Sequence, residues 1–204
     1  MASSSSVTNV DVISAAKAIA YALEENEEAY AVVGGAACAL LGSPRITGDV
    51  DIVVLQGHTS TARNMLKSKP EYFSVDNRTR HTHFLSQPPV EVEILTPPSL
   101  FRGSFNSSTR TMKTQGVKIL DPRYLLDAKC NSILGRSSAD KKGTDAQDIE
   151  FLLKFLARNG VPVNWTEVPN ANQQFVKWFS YHYLQNSTQL WEDLKYQIEE
   201  EEEQ

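Results

Sequence analysis

The chain has 204 residues, 41% of them hydrophobic, and a formal net charge of −5. That content suffices for one globular domain, or one domain with a helical appendage, without disulfide or metal staples. The acidic balance argues against a generic nucleic-acid binder, which needs a basic footprint. No stretch approaches the roughly 18 apolar residues that span a bilayer. Met1–Ser6 is polar, with no secretory signal visible, so a cytoplasmic location is expected. Cys38 and Cys130 sit in apolar surroundings without metal-type spacing. They read as packed thiols of a reducing compartment, with one disulfide as the alternative.

In chain order, residues 9–28 are predicted as a helix: Val12, Ala16, Ile19, Ala20 and Leu23 share one face at the 3.6 period, with Asn9 or Asp11 as cap. Tyr30–Val33 reads as a short strand running into Gly34-Gly35, followed by the small-residue helix "AACALLG", which Gly42 and Pro44 stop. Val50–Leu55 is a second strand, and Thr59–Lys69 a helix. Tyr72–Asp76, His81–Ser86 and Val90–Leu95 read as short strands, with Val117–Leu120 closing the sheet. From Asp121-Pro122, an N-cap with proline at the first helical position, the pattern becomes helical. Helices are predicted at about 122–135, 144–158, 170–184 and 188–200, the last two after the loop "NGVPVNWTEVPN". Phe175, Trp178, Phe179 and Trp191 are spaced as a core stripe, and Glu199–Glu203 reads as a solvated end. The expected organisation is an α+β module at 1–120 and a packed helical part at 121–204.

The stretch "AYAVVGGAACALLGSPRITGDVDIVVLQG" (29–57) carries the chemistry. It is neither a P-loop, since no lysine follows the glycines, nor a Rossmann turn, since GxGxxG is absent. A strand ending in Gly-Gly and feeding a helix still presents bare amides suited to phosphate oxygens; a plain tight turn is the alternative. Asp49 and Asp51 are two residues apart and share a strand face. At a few ångströms two carboxylates repel by roughly 1–4 kcal/mol. A hard divalent cation such as Mg²⁺ resolves that repulsion. The alternative is an acid pair turned to solvent at a strand edge. In "PVEVEILTP", Glu91 and Glu93 share one face and Val90, Val92 and Ile94 the other; Glu93, deeper in the apolar run, is the preferred third acid. Phosphoryl and nucleotidyl transfer use such sets to hold metal and to accept the attacking hydroxyl's proton.

"VVGG", "GDVDIVV" and "VEVEIL" resemble, in order and spacing, the hG[GS], [DE]h[DE]h and late-acid pattern of the DNA polymerase beta-like nucleotidyltransferase superfamily. The set is most similar to the abortive-infection type and its fungal relatives. "GSPRITGDVDI" looks like that group's R-x-[ST]-x-D-h-D, with Arg45 and Thr47 in place. "LLDAKCNSILGR…KKGTDAQDIEFLL" is similar to its second region, so the likeness covers roughly residues 29–156. The resemblance implies a mixed nucleotidyltransferase-type sheet flanked by helices, with a nucleoside triphosphate and a two-metal Mg²⁺ site (Mn²⁺ as alternative) at its rim. Gly34 and Gly35, with Arg45, Thr47, Lys129 and Lys142, would hold the triphosphate. Asp49 and Asp51 would bind metal, with Glu93 as third ligand or base where the family commonly has aspartate.

Lys129 lies at the edge of its helix's apolar stripe, between Leu126 and Ile133, either snorkelling or entering the interdomain cleft; the cleft is preferred. Asp145 and Asp148 are expected at a helix start, where the dipole explains them, or else as orienters of lysines or an alternative base. His81 and His83 read as surface strand residues that could line an acceptor pocket. Expected activity is transfer of an NMP from an NTP to an acceptor hydroxyl, with release of pyrophosphate. By resemblance, acceptors would be tRNA ends, protein side chains or small molecules. Lys113, Lys118, Lys129, Arg136, Lys141 and Lys142 make the middle of the chain locally basic, which keeps tRNA among them. The competing readings are a catalytically silent nucleotide- or partner-binding module, and a metal-dependent hydrolase that releases orthophosphate.

Overall fold

The computed structural model describes residues 6–101, 103–164, 166–183, 191, 192 and 194. Two compact units divide the chain, Met1–Leu120 and Asp121–Gln204. The first is built on a mixed seven-stranded sheet, ordered β3-β4-β5-β2-β1-β7-β6. Its strands are β1 (Tyr30–Val33), β2 (Asp49–Val54), β3 (Phe73–Val75), β4 (Thr82–Phe84), β5 (Val90–Leu95), β6 (Thr111–Thr114) and β7 (Val117–Leu120). β1 runs antiparallel to β2 and parallel to β7, and β2 runs parallel to β5. Helices α1 (Asn9–Glu24), α2 (Gly34–Leu40) and α3 (Thr59–Lys67) complete the unit.

α1 starts at Thr8, whose hydroxyl accepts from the Asp11 amide while the Asp11 carboxylate accepts from the Thr8 amide at 2.9 Å, a reciprocal capping box. Asn9, one of the two expected caps, is thereby left for another task. The helix ends at Glu24, four residues before the expected end, because Glu27 turns left-handed (φ 55°) and the Glu28 amide bonds back to Leu23 O. Val12, Ala15, Ala16, Ile19 and Leu23 are fully buried, and α1 packs on α2, α3, β2, β5 and β7.

β6 is an addition to the predicted strands. None of its side chains is buried, so it carries no hydrophobic signature. It pairs with β7 through Gln115-Gly116, both at positive φ (51° and 85°), the geometry of a type I′ hairpin.

The second unit holds α4 (Pro122–Gly135), α5 (Ala139–Arg158), a 3-10 turn (Pro169–Ala171) and α6 (Gln173–His182). Asp121 caps α4, accepting from the Arg123 amide at 3.0 Å ahead of Pro122. α5 begins five residues before the expected start, because its first turns (Ala139–Thr144) are polar and give no apolar period. Phe175 stacks on Phe179 at 5.5 Å, and both meet Trp191 edge-on, so the aromatic stripe is core. The predicted 188–200 helix falls largely outside the described residues, of which Trp191, Glu192 and Leu194 are helical. Cys38 and Cys130 are both buried free thiols.

Candidate active site

β2 carries Val50, Ile52 and Val54 fully buried on one face and Asp49 and Asp51, half-buried, on the other. The parallel register with β5 sets Asp49 beside Glu91 and Asp51 beside Glu93. Four carboxyl side chains therefore share one sheet face on neighbouring strands, while Val92 and Ile94 share the buried face with Val50 and Ile52. A one-residue slip would exchange three buried aliphatics, worth about 1.5–3 kcal/mol each, for two carboxylates. Hydrophobic burial thus fixes where the acids point.

The glycine elbow closes on this face. β1 pairs Val33 with Asp51, so Gly34 arrives beside the aspartate. Gly34 has φ +65°, and a Cβ built there would collide with Asp51 Oδ2. A Cβ on Gly35 would collide with Arg45 Nη2 and stand 2.7 Å from Thr47 Oγ1. Both glycines are required by close approach, Gly34 also by its left-handed backbone. Thr47, 7% exposed, donates its hydroxyl to Asp49 Oδ1 at 3.0 Å. α2, which starts at Gly34, has no side chain capping its N-terminus. Gly34, Gly35, Arg45, Thr47, Asp49, Asp51 and Glu93 therefore meet around one sheet face. Glu93 is exposed and has no hydrogen bond or ion pair among the described residues.

The structure brings Lys129 and Asp145 together in the second unit, in a buried network. Lys129 Nζ lies 2.8 Å from both Asp145 Oδ1 and Asp148 Oδ2, whose side chains are 2% and 0% exposed. Arg136 Nε at 2.9 Å and Ser132 Oγ at 3.0 Å both donate to Asp145 Oδ2. Burial pushes the Lys129 ammonium down and the Asp145 carboxyl up, yet mutual attraction outweighs it, raising the first and lowering the second. Because α5 begins at Ala139, the two aspartates lie within the helix, and these cations, rather than the helix dipole, satisfy them. Lys142 is half-buried on α5 and its side chain is outside this network.

No protein-family model matches the chain, and no curated protein matches it. Solved structures do. An antigenic nucleotidyltransferase-like protein from Paracoccidioides brasiliensis is 26% identical, with TM-score 0.69, over 94% of this chain and 95% of its own. JHP933 from Helicobacter pylori is 15% identical, with TM-score 0.56, over 86% of this chain and 78% of its own. The antibiotic-resistance factor ANT(2'')-Ia is 10% identical, with TM-score 0.51, over 83% and 96%. The chain has the nucleotidyltransferase fold. That fold fits the DNA polymerase beta-like superfamily, whose acid and diglycine motifs are the ones gathered on the β2 face.

Three residues around this nucleotidyltransferase-type site escape the motif pattern. Asn9 donates to Arg45 O at 3.0 Å and accepts from the Thr47 amide at 3.2 Å, so the first turn of α1 holds the segment bearing both residues. The Thr8–Asp11 capping box was the available signal, since it frees Asn9 from capping. His81 places Nδ1 3.2 Å from Glu91 Oε1 and stacks on His83 at 6.4 Å, so the histidines adjoin the acid row. His83 is also the β4 register partner of Glu91.

The donor set suits a hard cation. Among the described residues no group of three or more His, Cys, Asp or Glu is gathered as ligands. Mg²⁺ needs no such cage: one or two carboxylates suffice, with substrate phosphates and water completing the octahedron. Asp49 and Asp51, adjoining an uncapped glycine elbow, meet that requirement. No helix among the described residues is long and apolar enough to cross a membrane.

Proposed function

We propose that the protein is a Mg²⁺-dependent nucleotidyltransferase that moves a nucleoside monophosphate from an NTP to an acceptor hydroxyl. The observation carrying this reading is the β2 face, where Asp49 and Asp51 share a side and Asp51 packs on Gly34. Asp49 and Asp51 would hold the ion, Mn²⁺ being the alternative. When bound, it would neutralise phosphate oxygens and the leaving pyrophosphate. The Gly34 and Gly35 amides and the Arg45 guanidinium bind the triphosphate, charge-assisted hydrogen bonds being the stronger kind. Thr47 orients Asp49 through its hydroxyl. Glu93, exposed beside Asp51, accepts the acceptor's proton as its oxygen bonds to the α-phosphorus. The bond from that phosphorus to the bridging oxygen breaks, and pyrophosphate departs with the electron pair.

Lys129 and Asp145, expected in catalysis, enter as framework, since each already holds the other in the α4–α5 network. The test is incubation with each α-labelled NTP, Mg²⁺ and cell extract, scoring pyrophosphate and labelled acceptor. Asp49→Asn is expected to lower transfer about a hundredfold or more with the fold retained. Unchanged transfer in that variant refutes the assignment, and orthophosphate in place of pyrophosphate marks a hydrolase. NTP titration with and without Mg²⁺ exposes a silent module, which binds metal-free nucleotide equally well or not at all.

A further inference from the structure

The cations that the sequence offers to an anionic acceptor are mostly neutralised. Lys113 and Lys118 both pair with Glu24, Lys69 with Glu25, and Lys129 and Arg136 with Asp145. A different group is left uncompensated, where α3 meets the turn from β3 to β4. Arg63 of α3 is half-buried, and its Nε is shut from water with no acceptor among the described residues. Burial holds the Arg63 guanidinium below its ordinary value, and Arg80, a charge of the same sign, lowers it further.

The turn is built to keep Arg80 there. Asp76 Oδ1, the nearby acid, accepts from the amides of Arg78 and Thr79 at 2.7 Å each, so it organises the turn. Arg80 itself is left-handed, at φ +67°, a conformation that costs a non-glycine residue and is held by its surroundings. Arg78 and Arg80 are exposed and make no ion pair among the described residues. Lys67, one turn beyond Arg63, donates to Asn77 Oδ1 at 2.8 Å and ties α3 to the turn. His81 follows Arg80 directly, and its ring reaches Glu91 in the acid row. The patch therefore begins one residue from the face assigned to chemistry.

We infer that Arg63 and Arg80, flanked by Lys67 and Arg78, form a binding site for phosphate groups of the acceptor, separate from the triphosphate site. Half-buried Arg63 and exposed Arg78 and Arg80, none with an ion pair among the described residues, favour an incoming anion, and phosphate accepts from a guanidinium fork bidentately. The phosphate belongs either to a nucleic-acid backbone or to a single phosphorylated small molecule. This inference rests on the nucleotidyl-transfer reading for the word acceptor alone; the anion site stands or falls separately.

The test measures binding of a short fluorescent oligouridylate and, by calorimetry, of inorganic phosphate to the full chain, for wild type, Arg63→Gln and Arg80→Gly. Glycine suits φ +67°, so Arg80→Gly removes the charge while relieving the backbone, and thermal melting checks both folds. Each variant is expected to weaken binding about tenfold, with the salt slope for the oligonucleotide falling by about one. Loss confined to the oligonucleotide assigns backbone phosphates; equal loss for inorganic phosphate assigns a single phosphoryl group. Folded variants that bind both probes as wild type does, or a wild type that binds neither, overturn the site. Asp49→Asn run alongside separates the two readings: unchanged transfer there removes the nucleotidyltransferase, while the arginine variants alone decide the patch.

Discussion

Replacing Lys129 with methionine preserves most of the stem volume and deletes one charge from the α4–α5 network. Two carboxylates, 2% and 0% exposed, then lose their shared ammonium. Breaking a buried ion pair from one side costs about 3–5 kcal/mol, a large fraction of the 5–15 kcal/mol that holds a typical domain together. All three tryptophans, Trp165, Trp178 and Trp191, follow residue 160, so tryptophan fluorescence in a urea titration reports the second unit selectively. The pH dependence supplies a sign. In the wild type the Asp145 carboxyl is held below its ordinary value: burial raises it, but Lys129 and Arg136 more than compensate. Its contribution is present above about pH 4 and is lost as pH falls through the lowered value, so stability changes little between pH 7 and 5. In Lys129→Met the ammonium's share of that compensation is gone while burial and Arg136 remain, so the Asp145 carboxyl rises relative to the wild type and the variant's stability deficit shrinks as the pH falls through the raised value. The recovery from Asp145 is bounded by about 1.4 kcal/mol per pH unit. A variant that unfolds like the wild type at pH 7, shows no acid recovery and has nonetheless lost transfer would refute the framework assignment and return Lys129 to the chemistry.

Gly34→Ala forces a side chain onto a left-handed backbone, costing about 1–2 kcal/mol, and thrusts its Cβ at the Asp51 carboxylate. Transfer is expected to vanish with a far smaller loss in urea midpoint by circular dichroism; a fully active Gly34→Ala contradicts the close approach. Thr47→Val removes the donor 3.0 Å from Asp49 Oδ1 at nearly constant volume. Loss of such an outer partner lowers metal affinity about 10–100-fold. The Mg²⁺ concentration for half-maximal pyrophosphate release should rise accordingly, while the rate at saturating Mg²⁺ recovers; an unchanged Mg²⁺ requirement would show that Thr47 merely packs on Gly35.

The parts of the fold legible in the sequence are those where burial writes a pattern. β1 is wholly buried and β5 alternates, and turn residues bound both sharply. β6 alternates only between exposed and half-exposed positions, and its strand character comes from pairing with β7 across Gln115-Gly116, which no hydrophobic period announces. α5 hides its start for a related reason: Asp140, Lys141, Lys142 and Thr144 face outward or half outward, so the period emerges only once Asp145 and Ala146 turn inward. Within the site, the acids and glycines could be read because chemistry forces unusual residues into an apolar context. Asn9 could not be located, because its role depends on α1 and the Ser43–Thr47 segment meeting across more than thirty residues of chain.

The acid face and the arginine patch share one physical logic, which reaches beyond motif matching. Each is a place where this chain sets like charges together and uses local structure to keep them there. For Asp49 and Asp51 the restraint is the buried side of β2, which would have to surrender Val50, Ile52 and Val54 for the carboxylates to turn away. For Arg63 and Arg80 it is the Asp76-organised turn and the Lys67–Asn77 bond. In the α4–α5 network, by contrast, buried charges are matched ammonium to carboxylate at 2.8 Å. That network neutralises its buried charges internally, whereas the acid face and the arginine patch each gather charges of one sign on neighbouring elements. If the proposed sites hold, Mg²⁺ and phosphate are each expected to raise the thermal midpoint of the full chain, the first shift vanishing in Asp49→Asn and the second in Arg80→Gly.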